Sequence, residues 1–316
     1  MSDSSDAAIM VLGSISQNEH DRVHTEDSLR PVQLLDSGRF DALDVTWPSE
    51  LGASTGVAFN GGIALASQST IHMPDLILTG LHDVHELSVD RESLWIPNTG
   101  RNELLTVSTS GDVEHHDLGL GYHHCNQVFR CAAGKRWGLV HHIHGRQFLR
   151  RVAGRVLKSQ GDGGLLSLDH EDNRELRLSA PHSARVVNGE NWILDSGRAV
   201  VRRYSVDWIE LGQLALGGWG RGAYVTPDEA FMYVGLSPLR RRYRSVSQVS
   251  AVEQPEVHVI DVQRLNVVEK LPVDGIDQIN GLLFASVDAV QAAISSSAPG
   301  LDVAGSRLRR SEPTDE

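Results

Sequence analysis

Four stretches of the chain repeat one pattern, and that repeat restricts the fold more than any other feature. His182 opens "HSARVVNGENWILDSG", with Trp192 ten residues on. His85 opens "HELSVDRESLWIPNTG", with Trp95 ten residues on. Asn126 opens "NQVFRCAAGKRWGLVHH", with Trp137 eleven on, and Arg221 opens "RGAYVTPDEAFMYVGLS", with Phe231 ten on. Thr55 begins a shorter version, "TGVAFNGGIALAS", and Asn280 begins "NGLLFAS", which holds only the first strand. Each unit runs polar lead, alternating strand, a turn of Asn, Asp or Gly, then an aromatic-led apolar strand. Further strand pairs often follow, such as "NELLTVST" with "DVEHHDL" and "VHVIDVQ" with "NVVEKLPV". Four strands in roughly 40 residues is the pattern of a β-propeller blade.

Six leads predict an all-β, six-bladed β-propeller. The last unit lacks outer strands, and "RPVQLLDSGRFDALDVTW" near the N-terminus is expected to supply them and close the ring. The propeller is expected over residues 31–295, with one short helix in "SVDAVQAAIS". Residues 1–30 and 296–316 are polar and rich in small residues, so both are expected to be disordered tails.

Composition excludes several partners. A formal net charge of -12 over 316 residues is the wrong sign for nucleic acid or an anionic membrane surface. The only cysteines, Cys125 and Cys131, lack the spacing of a redox or zinc motif and are expected to be free. The first residues show no basic region followed by an apolar run, and no window is long enough to span a bilayer. A cytoplasmic protein is therefore expected.

In a propeller the innermost strands line the central channel, so lead residues far apart in sequence converge at one mouth. The converging set is Thr55, His85, Asn126, His182, Arg221 and Asn280. His82 and His124 stand just before two of these leads, and Asn98, His141, His142, His144 and Asp195 follow second strands. Imidazoles from separate blades can bind a divalent transition metal such as Zn, Fe or Mn while leaving a position for substrate. His85, His124 and His182 form the expected trio, with Asp83, Glu86 or Asp195 behind them to orient the rings. The same histidines can instead move protons without a metal. The expected catalytic set is thus His85, His124, His182 and Arg221, the last holding an anion through paired hydrogen bonds. Asn126, Asn280, Asn98 and His142 are the expected substrate-binding residues.

Other features read as structural. Ser183 neighbours His182, but adjacent strand residues face opposite ways, and no G-x-S-x-G elbow is present. Arg185 is expected to be structural, and Ser196 and Ser237 to bond their own turns. The basic run "LRRRYR" lies in an insertion over residues 238–255 and reads as a solvated loop. No phosphate-cradling or dinucleotide motif appears, so no nucleotide cofactor is expected.

The order of "HDVHEL", "HHCNQV", "SAPHSARV" with "WILDSG", "GRGAY" with "YVGLSPLR", and "VHVIDV" resembles a bacterial family of conserved hypothetical proteins, a domain of unknown function. That family is itself similar to six-bladed propellers of the NHL and gluconolactonase type. The resemblance runs from about Gly56 to Phe284 and implies that His85, His124, Asn126, His182 with Ser183 and Arg185, Arg221 with Gly222, and Val234 to Ser237 form one site. It names no substrate. "HHIHG" (His141 to Gly145) is richer in histidine than the family pattern, and "INGLL" departs from its closing strand. The expected function is an enzyme of hydrolase, lyase or isomerase type acting on a small polar or anionic molecule. The alternative is a non-catalytic propeller that binds a protein or glycan.

Overall fold

Six sheets stand in a ring, and in each the innermost strand begins within three residues of a lead residue. This computed structural model describes residues 7–14, 29–35, 38, 40–42, 55–119, 121–145, 162–169, 172–239 and 252–304. Residues 240–251 of the 238–255 insertion, which carry the basic run after Leu239, lie outside them.

The sixth blade shows how the ring closes. N-terminal strands β1 (Ala7–Ser14), β2 (Leu29–Leu34) and β3 (Phe40–Ala42) complete the sheet whose inner strand is β24 (Gln278–Ser286). The expected outer strands are therefore β2 and β3. The expected disordered tail over residues 1–30 is corrected: its "AAIMVLGS" segment is β1, lying between β24 and β2. Its side chains from Ile9 onward are buried, which explains the pairing.

The first blade holds β4 (Thr55–Phe59), β5 (Gly62–Ala66), β6 (Ile71–His72) and β7 (Ile77–Thr79). The second holds β8 (Ser88–Asp90), β9 (Ser93–Asn98), β10 (Glu103–Ser108) and β11 (Val113–Asp117). The third holds β12 (Cys125–Arg130), β13 (Arg136–Val140), β14 (Gly163–Ser167) and β15 (Arg174–Leu178). The fourth holds β16 (Pro181–Val187), β17 (Glu190–Asp195), β18 (Val200–Tyr204) and β19 (Glu210–Ala215). The fifth holds β20 (Trp219–Val225), β21 (Phe231–Ser237), β22 (Glu256–Asp261) and β23 (Asn266–Pro272).

The second expected tail is also corrected. After helix α1 (Val287–Ile294), capped by the Ser286 hydroxyl, the chain adds β25 (Gly300–Asp302) in parallel to β7. The first blade thus gains a fifth strand from the far end of the chain.

Local chemistry explains the elements. The Asn188–Gly189 turn joining β16 to β17 has both residues at positive φ, 48° and 75°, as a two-residue hairpin with right-handed strand twist requires. The repeated aromatics pack between blades. Trp137 and Trp192 are fully buried and Trp95 nearly so. A buried Trp removes about 150–250 Å² from water, on the order of 4–6 kcal/mol. Phe231 departs from the pattern: it is exposed, and Met232 fills the interblade core instead. Cys125 and Cys131 are free and buried, and burial pushes the Cys125 thiol up to about 12. No helix among the described residues is long and apolar enough to cross a membrane.

Candidate active site

Three lead residues, and the residue after a fourth, sit where the inner strands break register. Asn126 is skipped in the pairing of β12 with β13, Ser183 in that of β16 with β17, and Arg221 with Gly222 in that of β20 with β21. Asn280 is the extra residue of β24 against β1. Such bulges leave a residue outside the ladder and re-aim its side chain. Three non-glycine residues here also take the left-handed conformation: Asp83 (φ 57°), His124 (φ 52°) and Ser183 (φ 41°). That conformation is costly for side-chain-bearing residues and gathers at functional sites.

Four imidazoles meet at this mouth. The ring centroids of His85 and His124 are 4.9 Å apart, and His141 stacks on His124 at 4.3 Å. His182 stands 5.4 Å from His141 and 6.3 Å from His85, with Trp219 at 5.5 Å on its other side. Asp83 approaches His85, Oδ1 to Nε2, at 3.5 Å.

The expected metal trio changes membership. Asp83, His85 and His124 each offer a ligand atom, all within 4.8 Å of one another. His182 is not in that group, and Asp83, expected behind the ligands, stands among them. The reason is local: Asp83 turns the chain in the left-handed conformation two residues before His85, and its carboxylate comes to 3.5 Å from the His85 ring. One carboxylate and two imidazoles suit Zn, Fe or Mn with positions left open. Tyr122 Oη lies 2.9 Å from His124 Nδ1 and orients that ring.

Electrostatics prepare these groups to bind a cation. Burial opposes the charge on Asp83, but the hydrogen bond and charge of His85, then His124 and Arg221, outweigh it and hold the carboxyl well below its usual range. Burial, reinforced by His85, pushes His124 far down. Burial, with His124 and His182 adding to it, also holds His141 well below its ordinary value. Asp83 is therefore ionised, and His124 and His141 neutral, near pH 7.

His182 is fixed differently. Its Nδ1 lies 3.0 Å from Ala180 O and 3.0 Å from Ser196 Oγ. Ser196 gives its own hydrogen to Gly220 O at 2.7 Å, so both neighbours of Nδ1 are acceptors. Hydrogen bonding thus assigns the proton to Nδ1 and leaves the lone pair on Nε2.

The remaining expected residues divide. Arg221 Nη1 donates to Asn280 Oδ1 at 3.3 Å, which joins those two leads. Asn126 donates through Nδ2 to Pro181 O, while its Oδ1 is buried with no partner. Asn98 is buried, and its amide is engaged within its own blade. Its Oδ1 accepts from His82 N at 2.7 Å and its Nδ2 donates to Glu103 Oε1 at 2.5 Å, which uses the amide to hold a turn. His142 is likewise occupied, with Nδ1 2.8 Å from Asp162 Oδ1. Asp195, expected to orient a ligand, is fully buried and accepts from Ser179 N, Arg198 and Arg202. Glu86 also turns from the histidines, accepting from Arg185, Gln127 and Ser183. Ser196 and Ser237, expected to bond their own turns, instead bridge to the next blade.

No family model matches the chain, and no curated protein does. Solved structures do. A chain of a nidogen/laminin complex aligns over 88% of this chain and 98% of its own, with TM-score 0.58 and 7% identity. A protein of unknown function from Bacteroides caccae covers 89% of this chain and 99% of its own, with TM-score 0.55 and 10% identity. A catalytically inactive histidine-to-alanine variant of virginiamycin B lyase from Staphylococcus aureus, with Quinupristin, covers 78% and 81%, with TM-score 0.50 and 10% identity. At such identity these likenesses establish the fold alone: a distant member of the six-bladed propellers.

Proposed function

We propose that the protein is an enzyme that uses this mouth to move protons on a small polar or anionic substrate, assisted by a divalent transition metal. The observation that carries the reading is the donor group Asp83, His85 and His124 beside two further imidazoles, His141 and His182. Asp83, His85 and His124 would hold the cation, which when bound would polarise a substrate oxygen. His182 presents an unprotonated Nε2 and is the candidate proton acceptor. Arg221, kept in place by Asn280, attracts the negative group. A hydrolase, lyase or isomerase step would use these same parts, and the likeness to a lyase inactivated by loss of a histidine supports a catalytic role for such residues. The free, buried cysteines suit a reducing compartment, so we place this activity in the cytoplasm.

Elemental mass spectrometry of the untagged protein tests the reading. Near-stoichiometric Zn, Fe or Mn is expected in the wild type, and its loss in a folded His85→Ala variant. No metal after reconstitution with Zn²⁺, Fe²⁺ or Mn²⁺ would overturn the metal-assisted reading in favour of metal-free proton transfer or a protein-binding propeller.

A further inference from the structure

At or just after the end of the second strand of three blades, a hydroxyl ties that blade to the next. Thr99 Oγ1 donates to Cys125 O at 2.5 Å, and Ser196 Oγ donates to Gly220 O at 2.7 Å. Ser237 Oγ accepts from Ile279 N at 2.8 Å. Each partner is the residue immediately before a lead of the next blade, namely Asn126, Arg221 or Asn280. The tie therefore sets the height of the next lead at the mouth.

Strand register puts His141 at this position in the third blade. Val140 pairs with Cys125 as Asp195 pairs with Pro181 and Asn98 with Val84, so His141 aligns with Ser196 and Thr99. His141 makes no such tie. Pro181, the residue before lead His182, gives its carbonyl to Asn126 Nδ2 instead. The Nε2 atom of His141 is buried with no partner, and its ring lies against His124 and His182. A buried polar atom without a partner costs stability that a hydroxyl here would not. Breaking a structural rule without a local gain is expected where a residue serves function.

We propose that His141 is a substrate-contacting residue of the mouth, its Nε2 held in reserve for a small carboxylate that carries a hydroxyl or amine beside the carboxyl group. This rests on the reading of the mouth as an active site and names its substrate class. Arg221 supplies the positive charge for the carboxylate. Asn126 Oδ1 is also buried without a hydrogen-bond partner; it is an acceptor and calls for an O–H or N–H. A hydroxyl both donates and accepts, so it suits His141 Nε2 in either tautomer.

The test compares wild type with His141→Thr, which restores the residue type that the second blade carries at Thr99. Protein labelled with ¹⁵N-histidine is titrated with glycolate, with and without Zn²⁺, and ring nitrogen resonances are followed. The His141 signals are those missing from the variant. Glycolate is expected to move them, and to bind about tenfold more weakly to His141→Thr, the loss of about one hydrogen bond. His141→Thr is expected to unfold at or above the wild-type temperature, while Thr99→Ala unfolds about 2–4 °C lower. A glycolate response without Zn²⁺ supports His141 and counts against the metal alone. No response under either condition overturns the proposal, as does unchanged affinity in the variant. A fall in Tm for His141→Thr as large as that of Thr99→Ala makes His141 a structural residue and overturns it too.

Discussion

Adjacent residues at the start of the same three inner segments meet opposite fates. His85, Asn126 and His182 stand at the mouth. Glu86, Gln127 and Ser183, each one position later, form a neck in which every group is used. Glu86 accepts from Arg185 Nη2 at 2.6 Å, from Ser183 Oγ at 2.5 Å and from Gln127 Nε2 at 3.2 Å. Ser183 Oγ accepts in turn from Gly222 N, and Gln127 Oε1 from Ala184 N. At the mouth, by contrast, Asn126 Oδ1 and His141 Nε2 are buried and unused. The neck shows how this chain satisfies polar groups when stability is the only demand. The mouth keeps part of that capacity open, as a binding site must.

The largest expected effect breaks the neck. Glu86→Ala strips the acceptor from Arg185, Ser183 and Gln127 together, and a partly buried charge left alone is costly. A loss of about 3 kcal/mol is expected in urea unfolding, with the metal content of surviving folded protein unchanged. A loss below about 1 kcal/mol would mean that the neck is not the closure it is taken to be. Glu86→Gln, which keeps an acceptor without the charge, should fall between.

The same comparison shows what was readable from the sequence. The repeat of polar lead and following aromatic gave the blade count, since that spacing survives in four blades and leads recur in all six. It did not reveal β1, because "AAIMVLGS" pairs with β24 at the far end of the chain and sits among polar residues. The sequence points to Asp83 only as a supporting group, because its place among the ligands depends on a left-handed turn two residues before His85 that no residue pattern marks. Asn98 looked like a mouth residue because it ends a second strand, but it is consumed by the backbone of His82 and by Glu103. His141 was visible only as part of a histidine-rich run. Its departure from Thr99 and Ser196 emerges once pairing fixes the register, which depends on bulges that no residue pattern marks.

An intermediate effect comes from acid. In the folded protein His124 is held down, to about 2, and His141 is also kept low. Unfolded, both return to about 6.5. The unfolded chain therefore binds more protons below that value, and stability falls as pH drops, by about 1.4 kcal/mol per pH unit for each such group. Asp83 acts in the same direction, but its contribution is lost only as pH falls below its unfolded value of 3.8. Thermal unfolding at pH 7.5, 6.5 and 5.5 should show the decline, with a shallower slope in His124→Gln. His72, His116 and His258, lowered by burial elsewhere, contribute equally to both proteins and cancel in the difference. Equal slopes would mean that His124 binds protons in the folded protein as readily as in the unfolded chain.

The smallest effect sharpens the comparison at its boundary, where Ser196 belongs to both regions. Its hydroxyl ties Gly220 to the fourth blade, as a neck residue would, and its lone pair faces His182 Nδ1 at the mouth. Ser196→Ala removes the bond to Gly220 and the one shared with His182 Nδ1, and should cost about 1–2 kcal/mol. Ala180 O remains 3.0 Å from Nδ1, so the proton should stay on that nitrogen. Ring ¹⁵N shifts should then report the same His182 tautomer in variant and wild type, although stability falls. A switch to the Nε2–H form would show that the side-chain hydroxyl, rather than the backbone carbonyl, sets which nitrogen can accept a proton. The repeat's structural tie would then also be what prepares the base, and the division between a neck built for stability and a mouth built for chemistry would fail at this residue.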